Sequence, residues 1–254
     1  MASRPEQQHR LRFVSEMLRN ELSVAALDEA NTVLEEQSAA DVLRWAWTNF
    51  SPRVAASSSF QTQSMPLLHL ISRVCPEMPI LFLDTGFHFP ETLAFRDIVR
   101  RTLGLRIEVL TSEVGHDRFK KTHGQLYRTT PDHCCFLNKV EPMRRARAGL
   151  SAWVSGIRRD QTRQRSRIPI VTKGQDGVLK IHPMARWTRS DVWRYVSDLD
   201  LPTHPLVEQG YTSIGCAPCT RQPTDASDER SGRWSESSKT ECGLHLEPSG
   251  GEER

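Results

Sequence analysis

Residues 53–60 read Arg53-Val54-Ala55-Ala56-Ser57-Ser58-Ser59-Phe60, and this stretch decides the fold. Its apolar half predicts a short buried strand, its serines predict a polar turn, and residues 65–74 predict a helix. In such a strand–turn–helix unit, backbone N–H groups and hydroxyls converge at the helix N-terminus and can hold a phosphate-like anion. Serine is also a common N-cap, so the turn alone leaves an anion site and a plain helix cap as equal alternatives.

The same unit recurs further along the chain. Residues 79–83 predict a second buried strand, residues 89–103 a helix, and residues 106–110 a third strand. The order βαβαβ predicts a parallel sheet with helices on both faces, so the fold class is α/β. The polar residues 57–59 and 84–85 each follow a strand. Because ligands in such sheets bind beyond the carboxyl ends of the strands, we expect one site at this edge.

Periodicity predicts the remaining elements and the limits of the domain. The further elements are a helix at 28–49, a helix at 138–149, a strand at 152–156, a hairpin at 168–182 and a helix at 190–199. The expected parts are an N-terminal arm at 1–27, an α/β ligand-binding domain at 28–220 and a mobile C-terminal tail at 221–254.

The composition indicates a soluble protein with a packed core. Of the 254 residues, 37% are hydrophobic and 26% are charged, which excludes general disorder. No apolar run approaches the roughly 20 residues that cross a bilayer, and residues 1–10 lack the apolar core of a signal peptide. We therefore expect a cytoplasmic protein without a membrane partner. Its cysteines would stay reduced and serve metal binding or catalysis rather than disulfides.

The charge is small overall but unevenly distributed. A net charge of +3 does not indicate a nucleic-acid partner. Between Arg144 and Arg167, however, there are eight arginines against one carboxylate, Asp160. A solvated basic face is one interpretation. An anionic ligand is the favoured one, because guanidinium groups bind phosphate and sulfate oxygens in a bidentate manner.

Four of the six cysteines form two close pairs, Cys134-Cys135 and Cys216-Ala217-Pro218-Cys219. A C-x-x-C places two thiols on one tight turn, as in zinc sites, iron–sulfur sites and redox disulfides. A vicinal pair is strained as a disulfide and unusual as a zinc pair. Four thiolates suit an iron–sulfur centre, while zinc and unrelated buried thiols stay open at this point. Cys75 has the character of an ordinary small apolar residue.

A further cysteine, Cys242, lies in the segment Lys239-Thr240-Glu241-Cys242-Gly243-Leu244-His245. A free thiol with a pKa of about 8.5 is only a few per cent thiolate at neutral pH, so a nucleophilic cysteine needs positive charge nearby. Arg230, Arg233 and Lys239 supply such charge close in sequence. We predict that Cys242 is a nucleophile, and the alternative is a spare thiol in an exposed tail.

Together these segments resemble the family of assimilatory adenylylsulfate and phosphoadenylylsulfate reductases. The resemblance runs from about Val54 to His245, nearly the whole folded part. The motifs that carry it are Ser57-Ser58-Ser59-Phe60, Phe82-Leu83-Asp84-Thr85-Gly86, Phe89-Pro90-Glu91-Thr92, Cys134-Cys135-x-x-x-Lys139-x-x-Pro142, Gly156-x-Arg158-Arg159-Asp160-Gln161, Gly215-Cys216-x-x-Cys219-Thr220, Arg230-x-Gly232-Arg233-Trp234 and Lys239-x-Glu241-Cys242-Gly243-Leu244-His245.

The resemblance implies a PP-loop/HUP-like adenine-nucleotide fold and a [4Fe-4S] cluster. Relatives that keep both cysteine pairs resemble the iron–sulfur enzymes that mainly use adenosine 5′-phosphosulfate in sulfate assimilation and cysteine biosynthesis. Relatives specific for the 3′-phosphorylated nucleotide usually lack the pairs. That nucleotide stays the alternative substrate, because the arginine run could bind its extra phosphate. The implied cluster ligands are Cys134, Cys135, Cys216 and Cys219.

The resemblance also implies a two-step reaction. Cys242 attacks the sulfate sulfur of adenosine 5′-phosphosulfate, AMP leaves, and an S-sulfocysteine remains. Thioredoxin, or a similar dithiol protein, then releases sulfite. The tail would close over the substrate and swing out to the partner protein. The cluster would act through charge and position, with Lys139 as the link, rather than by passing electrons to the substrate.

The motifs imply a role for each site residue. Lys139, Arg230 and Arg233 would direct positive charge at the sulfate, with Arg165 in support. His245 would orient the sulfate or assist the nucleophile. The other implied substrate-binding residues are Ser57, Ser58 and Ser59 for the phosphosulfate, Leu83 and Thr85 for adenosine, and also Gly156 and Trp234.

Some positions depart from the family pattern. Asn138 stands where an arginine is common, which reduces the charge beside Lys139, and residues 235–237 stand where some relatives have more aromatics. Two rival classes remain. One is a zinc-bound nucleotide-binding or regulatory protein without turnover. The other is an ATP pyrophosphatase, whose usual loop S-G-G-x-D-S is not matched by the serine turn at 57–60.

Overall fold

A six-stranded sheet forms the centre of the protein. The computed structural model describes residues 10–16, 23–225, 228–235 and 239–245, so parts of the predicted arm and tail, including Glu236 and Ser237, lie outside the described residues. The strands are β1 (Val54–Ser57), β2 (Ile80–Leu83), β3 (Ile107–Leu110), β4 (Ala152–Ser155), β5 (Val171–Lys173) and β6 (Leu179–Ile181).

The strand order is β3-β2-β1-β4-β6-β5, which places β1 and β4 at the middle of the sheet. Neighbouring strands pair in parallel except at one edge, where β5 and β6 form an antiparallel hairpin. The register sets Ser57 opposite Leu81 on one side and Ser155 on the other. The predicted α/β class and the predicted hairpin are therefore confirmed.

Helices flank the sheet. They are α1 (Val24–Leu34), α2 (Ala39–Phe50), α3 (Met65–Val74), α4 (Pro90–Leu103), α5 (His116–His123), α6 (Leu126–Thr129), α7 (Pro131–Cys135), α8 (Glu141–Arg147) and α9 (Arg189–Asp198). Residues 10–16 are also helical. Short 3₁₀ turns occur at Thr62–Ser64, Arg163–Arg165, Pro205–Val207 and Ala217–Cys219. Among the described helices, none has the length and apolar character needed to span a bilayer.

Each face of the sheet has its own apolar cluster, because side chains alternate along a strand. In β1, Val54 and Ala56 belong to the larger cluster and Ala55 to the smaller one. Helices α1, α2, α3, α4 and α9 contribute to the larger cluster. Helix α8, Trp153 of β4 and Leu244 of the tail contribute to the smaller one. Both faces are therefore covered, as a parallel sheet requires.

The helix predicted at 28–49 is wrong in its limits, because the chain forms two helices there. The first begins at Val24, and its N-cap Ser23 accepts a hydrogen bond from the N–H of Ala26 at 3.2 Å. The second begins after Ser38, whose hydroxyl accepts a hydrogen bond from the N–H of Asp41 at 3.1 Å. Serine caps offer the backbone an alternative to a continuous helix, and apolar periodicity does not register that break.

The helix predicted at 138–149 is also wrong at its start. Helical structure begins at Pro131 and continues through α7, a π-helical turn at Phe136–Val140 and α8. In the π turn the N–H of Glu141 bonds to the carbonyl of Phe136, and this wider turn accommodates Pro142, which has no N–H to donate. Cys134 and Cys135 therefore lie inside the same helical segment as Lys139, not before it.

Candidate active site

The carboxyl ends of β1, β2 and β4 open into one pocket. The pocket holds about 1050 Å³ of space, counted out into its open mouth. The structure brings all the predicted catalytic and substrate-binding residues to this pocket. They are Ser57, Ser58, Ser59, Leu83, Thr85, Lys139, Gly156, Arg165, Arg230, Arg233, Trp234, Cys242 and His245.

The first wall is the serine turn between β1 and α3. Ser57 Oγ accepts a hydrogen bond from Trp153 Nε1 at 2.9 Å, and Ser58 Oγ accepts one from the N–H of Phe60 at 3.0 Å. Phe60 is fully buried with φ of +53°, a left-handed conformation that bulky residues rarely adopt. Its burial and these bonds hold the turn in one shape at the edge of the pocket.

The second wall follows β2. Thr85 is buried, and its Oγ1 lies 3.3 Å from Sγ of Cys216, so this wall touches the cysteine region directly. His88 also lines the pocket, with Nε2 2.8 Å from the carbonyl oxygen of Leu83. Burial lowers the pKa of His88, which leaves its ring neutral at pH 7. The Nε2–H then donates to Leu83, and Nδ1 is left as an acceptor without a partner among the described residues.

Residues 228–235 form the third wall, and Glu229 holds them on the domain. Its carboxylate accepts hydrogen bonds from Gln63 Nε2 at 2.8 Å and from Arg158 Nη2 at 3.4 Å. Because Arg158 is fully buried, this attachment lies inside the protein rather than at its surface. The attachment positions the pocket residues that follow Glu229, namely Arg230, Arg233 and Trp234.

Residues 239–245 close the remaining side of the pocket. Cys242 lines it and is partly exposed. His245 stacks on Trp153, with the ring centres 5.2 Å apart and the ring planes 7° from parallel. Because Trp153 also donates to Ser57, one side chain on β4 contacts both the serine turn and the tail.

The pocket is strongly cationic. Among the described residues that line it, one carboxylate, Glu241, stands against Lys139, Arg165, Arg230 and Arg233. Burial and then Arg233 lower the pKa of Arg230 to about 10, so this side chain is still charged at neutral pH. An anionic ligand therefore fits the pocket.

Two further pKa shifts define the chemistry of the pocket. Burial alone would lower the pKa of Lys139, but the negative charge that Cys216, Cys135 and Cys242 carry as thiolates outweighs it and raises the pKa, so the amine is charged beside thiolates. Burial, followed by the charge of Arg165, lowers the pKa of His245 well below its usual value. His245 is therefore a neutral hydrogen-bonding group at pH 7 rather than a fifth cation.

The two cysteine pairs meet beside the pocket. Cys134 and Cys135 end α7, Cys216 and Cys219 border the 3₁₀ turn, and together with Lys139 they line a cavity of about 300 Å³. Burial, and then the neighbouring thiols, raise the pKa of Cys134 to about 12 and that of Cys219 to about 11. The thiols of Cys134 and Cys219 therefore hold their protons at neutral pH unless a positive centre replaces those protons.

The four cysteines form a set of donors suited to a soft metal centre. Four soft sulfur donors in buried surroundings fit an iron–sulfur cluster or zinc, and a charged lysine lies alongside them. Within the described ranges, no group of three or more His, Cys, Asp or Glu side chains is arranged to hold a single metal ion. The fit to a thiolate-bound centre rests on the sulfur chemistry of the four cysteines and on their place together around one pocket.

Most of the arginine run lies away from the pocket. Of its eight arginines, Arg165 is the one that lines the pocket within the described chain. Arg147 pairs with Asp176 at 2.6 Å, and Arg159 pairs with Glu35, 124 residues earlier. Arg165 is therefore the member of the run that lies where the predicted anionic ligand would bind in this pocket. Carboxylates far away in sequence neutralise much of the run, and their proximity arises only on folding.

Sequence reasoning missed several pocket residues. Ser155 ends β4, and the same strand-end argument that selected Ser57 would have found it once β4 was placed beside β1. Glu241 was quoted within a motif but was given no role. The others missed are Gln61, Ser64, Leu67, Leu81, Phe82, His88, Ile157, Gln161, Ile214, Gly215 and Leu244.

A mostly parallel sheet with polar turns at its strand ends and a cationic pocket defines an α/β protein that binds an anionic ligand beyond the carboxyl ends of its strands. The profile described as the phosphoadenosine phosphosulfate reductase domain matches residues 53–222. An adenosine 5′-phosphosulfate reductase of Streptomyces coelicolor is 40% identical over 223 residues, covering 87% of this chain and 94% of that protein. The chain belongs to the phosphoadenosine phosphosulfate reductase family, which confirms the resemblance read from its motifs.

Other relatives bear the name of the phosphorylated nucleotide. A phosphoadenosine 5′-phosphosulfate reductase of Gloeobacter violaceus is 42% identical over 201 residues, covering 77% of this chain and 83% of that protein. A crystal structure of phosphoadenylyl-sulfate reductase from Candida auris, in a phosphate complex, matches with a TM-score of 0.72 and 30% identity. The match covers 79% of this chain and 98% of the Candida auris chain. The PP-loop/HUP-like fold predicted from the motifs is therefore confirmed.

Proposed function

We propose that this chain reduces adenosine 5′-phosphosulfate to sulfite and AMP, in sulfate assimilation towards cysteine. Its intermediate is an S-sulfocysteine on Cys242, and its reductant is thioredoxin or a similar dithiol protein in the cytoplasm. The observation that carries the proposal is the position of Cys242, in a cationic pocket at the strand ends and beside the four-cysteine centre. The family supports the reaction class, and the name of the Streptomyces coelicolor relative supports the substrate.

In the first step the thiolate of Cys242 attacks the sulfate sulfur. A sulfur–sulfur bond forms, the bond from sulfur to the bridging oxygen breaks, and AMP leaves with that electron pair on its phosphate oxygen. The attack brings an anion towards an anion, so positive charge aimed at the sulfate oxygens lowers the barrier. Lys139, Arg230 and Arg233, which line the pocket around Cys242, supply that charge.

In the second step a thiolate of the dithiol protein attacks Sγ of Cys242. Sulfite leaves with the electron pair of the sulfur–sulfur bond, and a mixed disulfide forms. The second thiol of the partner then displaces Cys242, so the dithiol is oxidised to a disulfide and the thiol is regenerated. We propose a division into an arm at 1–27, a nucleotide- and cluster-binding domain at 28–220 and a tail at 221–254. The segment of the tail that carries Cys242 moves out for this exchange.

We propose the remaining contacts from the residues that line the pocket walls. The hydroxyls of Ser57, Ser58 and Ser59 hold the phosphosulfate, and the strand end at Leu83 and Thr85 holds adenosine. His245 orients the sulfate as a neutral donor, since its pKa lies well below the usual value. Gly156 and Trp234 complete the contact surface. At Gly156 an added Cβ would lie only 3.3 Å from Cδ2 of Leu67, so the backbone there packs closely.

We further propose that Cys134, Cys135, Cys216 and Cys219 hold a [4Fe-4S] cluster. When bound, the cluster supplies charge and fixed geometry near Lys139 rather than electrons to the substrate. Iron and acid-labile sulfide in protein purified without oxygen test this assignment, and we expect both to be present and to fall sharply in Cys135→Ser. Zinc without sulfide, or full iron content in the variant, would overturn it.

The alternative substrate is 3′-phosphoadenosine 5′-phosphosulfate, the nucleotide named for the Gloeobacter violaceus relative. It carries an extra phosphate that needs further cations. Since Arg165 is the one member of the arginine run that lines the described pocket, few cations are left for that phosphate. The test is sulfite release with each nucleotide and a thioredoxin. We expect the higher kcat/KM with adenosine 5′-phosphosulfate, and a higher value with the 3′-phosphorylated nucleotide would reverse the assignment.

A further inference from the structure

The carboxylate of Glu241, which directly precedes Cys242, is bound by two arginines of the pocket. Arg165 donates from Nε to Oε1 at 2.8 Å and from Nη2 to Oε2 at 2.6 Å, a bidentate pair. Thr162 Oγ1 donates to Oε1 at 3.2 Å, and Arg230 Nη2 lies 3.8 Å from Oε2. The side chains of Glu241 and Arg165 are only 12% and 6% exposed.

This pair differs from the ion pairs on the surface of the protein. Exposed pairs contribute little, because water competes and the side chains lose freedom. A bidentate guanidinium–carboxylate pair shielded from water is directional, and removal of one partner leaves an uncompensated charge. Because the pair involves the residue next to Cys242, its geometry sets where the thiol lies in the pocket.

The neighbouring residue is attached to the same place. Thr240 accepts a hydrogen bond from Gln164 Nε2 on its Oγ1 at 3.3 Å, and from Arg230 Nη2 on its carbonyl at 3.1 Å. Residues 240 and 241 therefore dock on the turn at Thr162–Arg165 and on Arg230. This contact is separate from the stacking of His245 on Trp153.

The same contact affects the binding of an anion. Arg165 and Arg230 are two of the pocket cations that a phosphate or sulfate group would use, and both are already paired with Glu241. A carboxylate that holds two guanidinium groups makes the bonds that a bound oxyanion would otherwise make. Docking of the tail and binding of the nucleotide therefore compete for the guanidinium groups of Arg165 and Arg230.

We propose that Glu241 is a positioning residue that docks the tail through Arg165, seats Cys242 for attack, and in doing so weakens nucleotide binding. The proposal deepens the proposed function and rests on it for the identity of the nucleotide. Its consequence is a trade between affinity and rate. Loss of the carboxylate leaves Arg165 and Arg230 available to bind the nucleotide, but Cys242 is then no longer held in position for attack.

Glu241→Gln tests the trade, because the amide keeps the size of the side chain and removes its charge. We expect the Kd for adenosine 5′-phosphosulfate to fall several-fold. We also expect sulfonation of Cys242 at saturating nucleotide to slow by at least about tenfold, since displacing a reacting atom by about 1 Å can cost more than that. Glu241→Asp keeps the charge, so it should restore part of the rate without the gain in affinity. Glu77→Gln, which removes an exposed partner of Arg106, is the matched control and should match the wild type.

A purely structural role would lower affinity and rate together, and that result would overturn the proposal, as would unchanged values of both. Alkylation of Cys242 by iodoacetamide without nucleotide provides a second readout. It should be faster in Glu241→Gln than in the wild type, because the tail is undocked, and an equal or slower rate would contradict the proposal. If the wild type is never sulfonated but its alkylation still responds to the variant, the proposed function fails while the docking role stands.

Discussion

Cys75 and Cys242 are the two cysteines outside the four-cysteine centre, and their surroundings differ. Cys75 is 1% exposed in the larger apolar cluster, and burial raises its pKa to about 12. Its thiol therefore keeps its proton at neutral pH and is unreactive. Cys242 is partly exposed in a pocket lined by Lys139 and Arg230, so a ligand bound in that pocket can reach its thiol.

The first prediction follows from that difference. We expect Cys242→Ser to lower sulfite release by about 10³-fold or more, the scale on which enzymes lose activity when their nucleophile is removed, while the nucleotide still binds. Cys75→Ala is the matched control and should keep wild-type activity. Sulfite release and nucleotide binding measured on both variants check this. Activity that survives in Cys242→Ser would show that another group attacks the substrate.

For single residues, the side chains of the site were predictable from the sequence, but their ion-pair partners were not. The strand-end argument and the motifs selected side chains that the structure places together in one pocket. The role of Glu241 was not predictable, since its main partner, Arg165, lies 76 residues earlier in the chain. Which arginine meets which carboxylate depends on the folded path of the chain.

At the scale of elements, the turn that carries Cys216 also positions a pocket arginine. Gly215 lies against the guanidinium of Arg233, and a methyl group added there would lie 2.5 Å from Cζ of that arginine. Real contacts of this kind are essentially never so short, so Arg233 would have to move. Glycine at 215 therefore leaves the space that the guanidinium of Arg233 occupies.

We accordingly expect Gly215→Ala to lower kcat/KM by about 10- to 100-fold, the range that a charge-assisted hydrogen bond of about 1.5–3 kcal/mol supports. Gly149→Ala is the matched control, because nothing lies within 4 Å of an added Cβ there. Iron content measured alongside separates displacement of Arg233 from damage to the neighbouring Cys216. Unchanged kinetics in Gly215→Ala would remove Arg233 from the proposed reaction.

The elements also show where periodicity succeeds. The strands near the site, the helix α3 and the hairpin were predicted because their apolar patterns agree with the sheet they form. The break between α1 and α2 and the π turn before α8 were missed, because a serine cap and Pro142 act through backbone hydrogen bonds. The spacing of apolar residues indicates which side chains are buried, but it carries no information on backbone hydrogen bonds.

At the scale of the whole molecule, buried histidines link stability to pH. His182 is 2% exposed and its Nδ1 lies 3.0 Å from Oγ of Ser155. Burial, followed by the charges of Lys180, Arg165 and Arg159, lowers its pKa to about 3. Below a pH of about 6.5 His182 is protonated in the unfolded chain but stays neutral in the folded protein. The free energy of unfolding therefore falls as the pH falls.

We expect His182 to account for a loss of about 1.4 kcal/mol for each pH unit below about 6.5. His182→Asn should therefore show a smaller drop in Tm between pH 7.5 and pH 5.5 than the wild type, even if its Tm at pH 7.5 is lower. Thermal unfolding of both proteins at the two pH values checks this. An equal drop would mean that His182 is protonated in the folded protein or does not titrate between the two pH values.

The proposed reaction requires that the sulfur atoms have different roles. Four are ligands of a metal centre, and Cys242 is the free nucleophile. The most direct test incubates the anaerobically purified protein with adenosine 5′-phosphosulfate and no reductant, then maps the modified peptide by mass spectrometry. We expect one sulfonate, on Cys242, which a dithiol removes as sulfite. A sulfonate on another cysteine, or no adduct while sulfite is still released when reductant is present, would contradict the account.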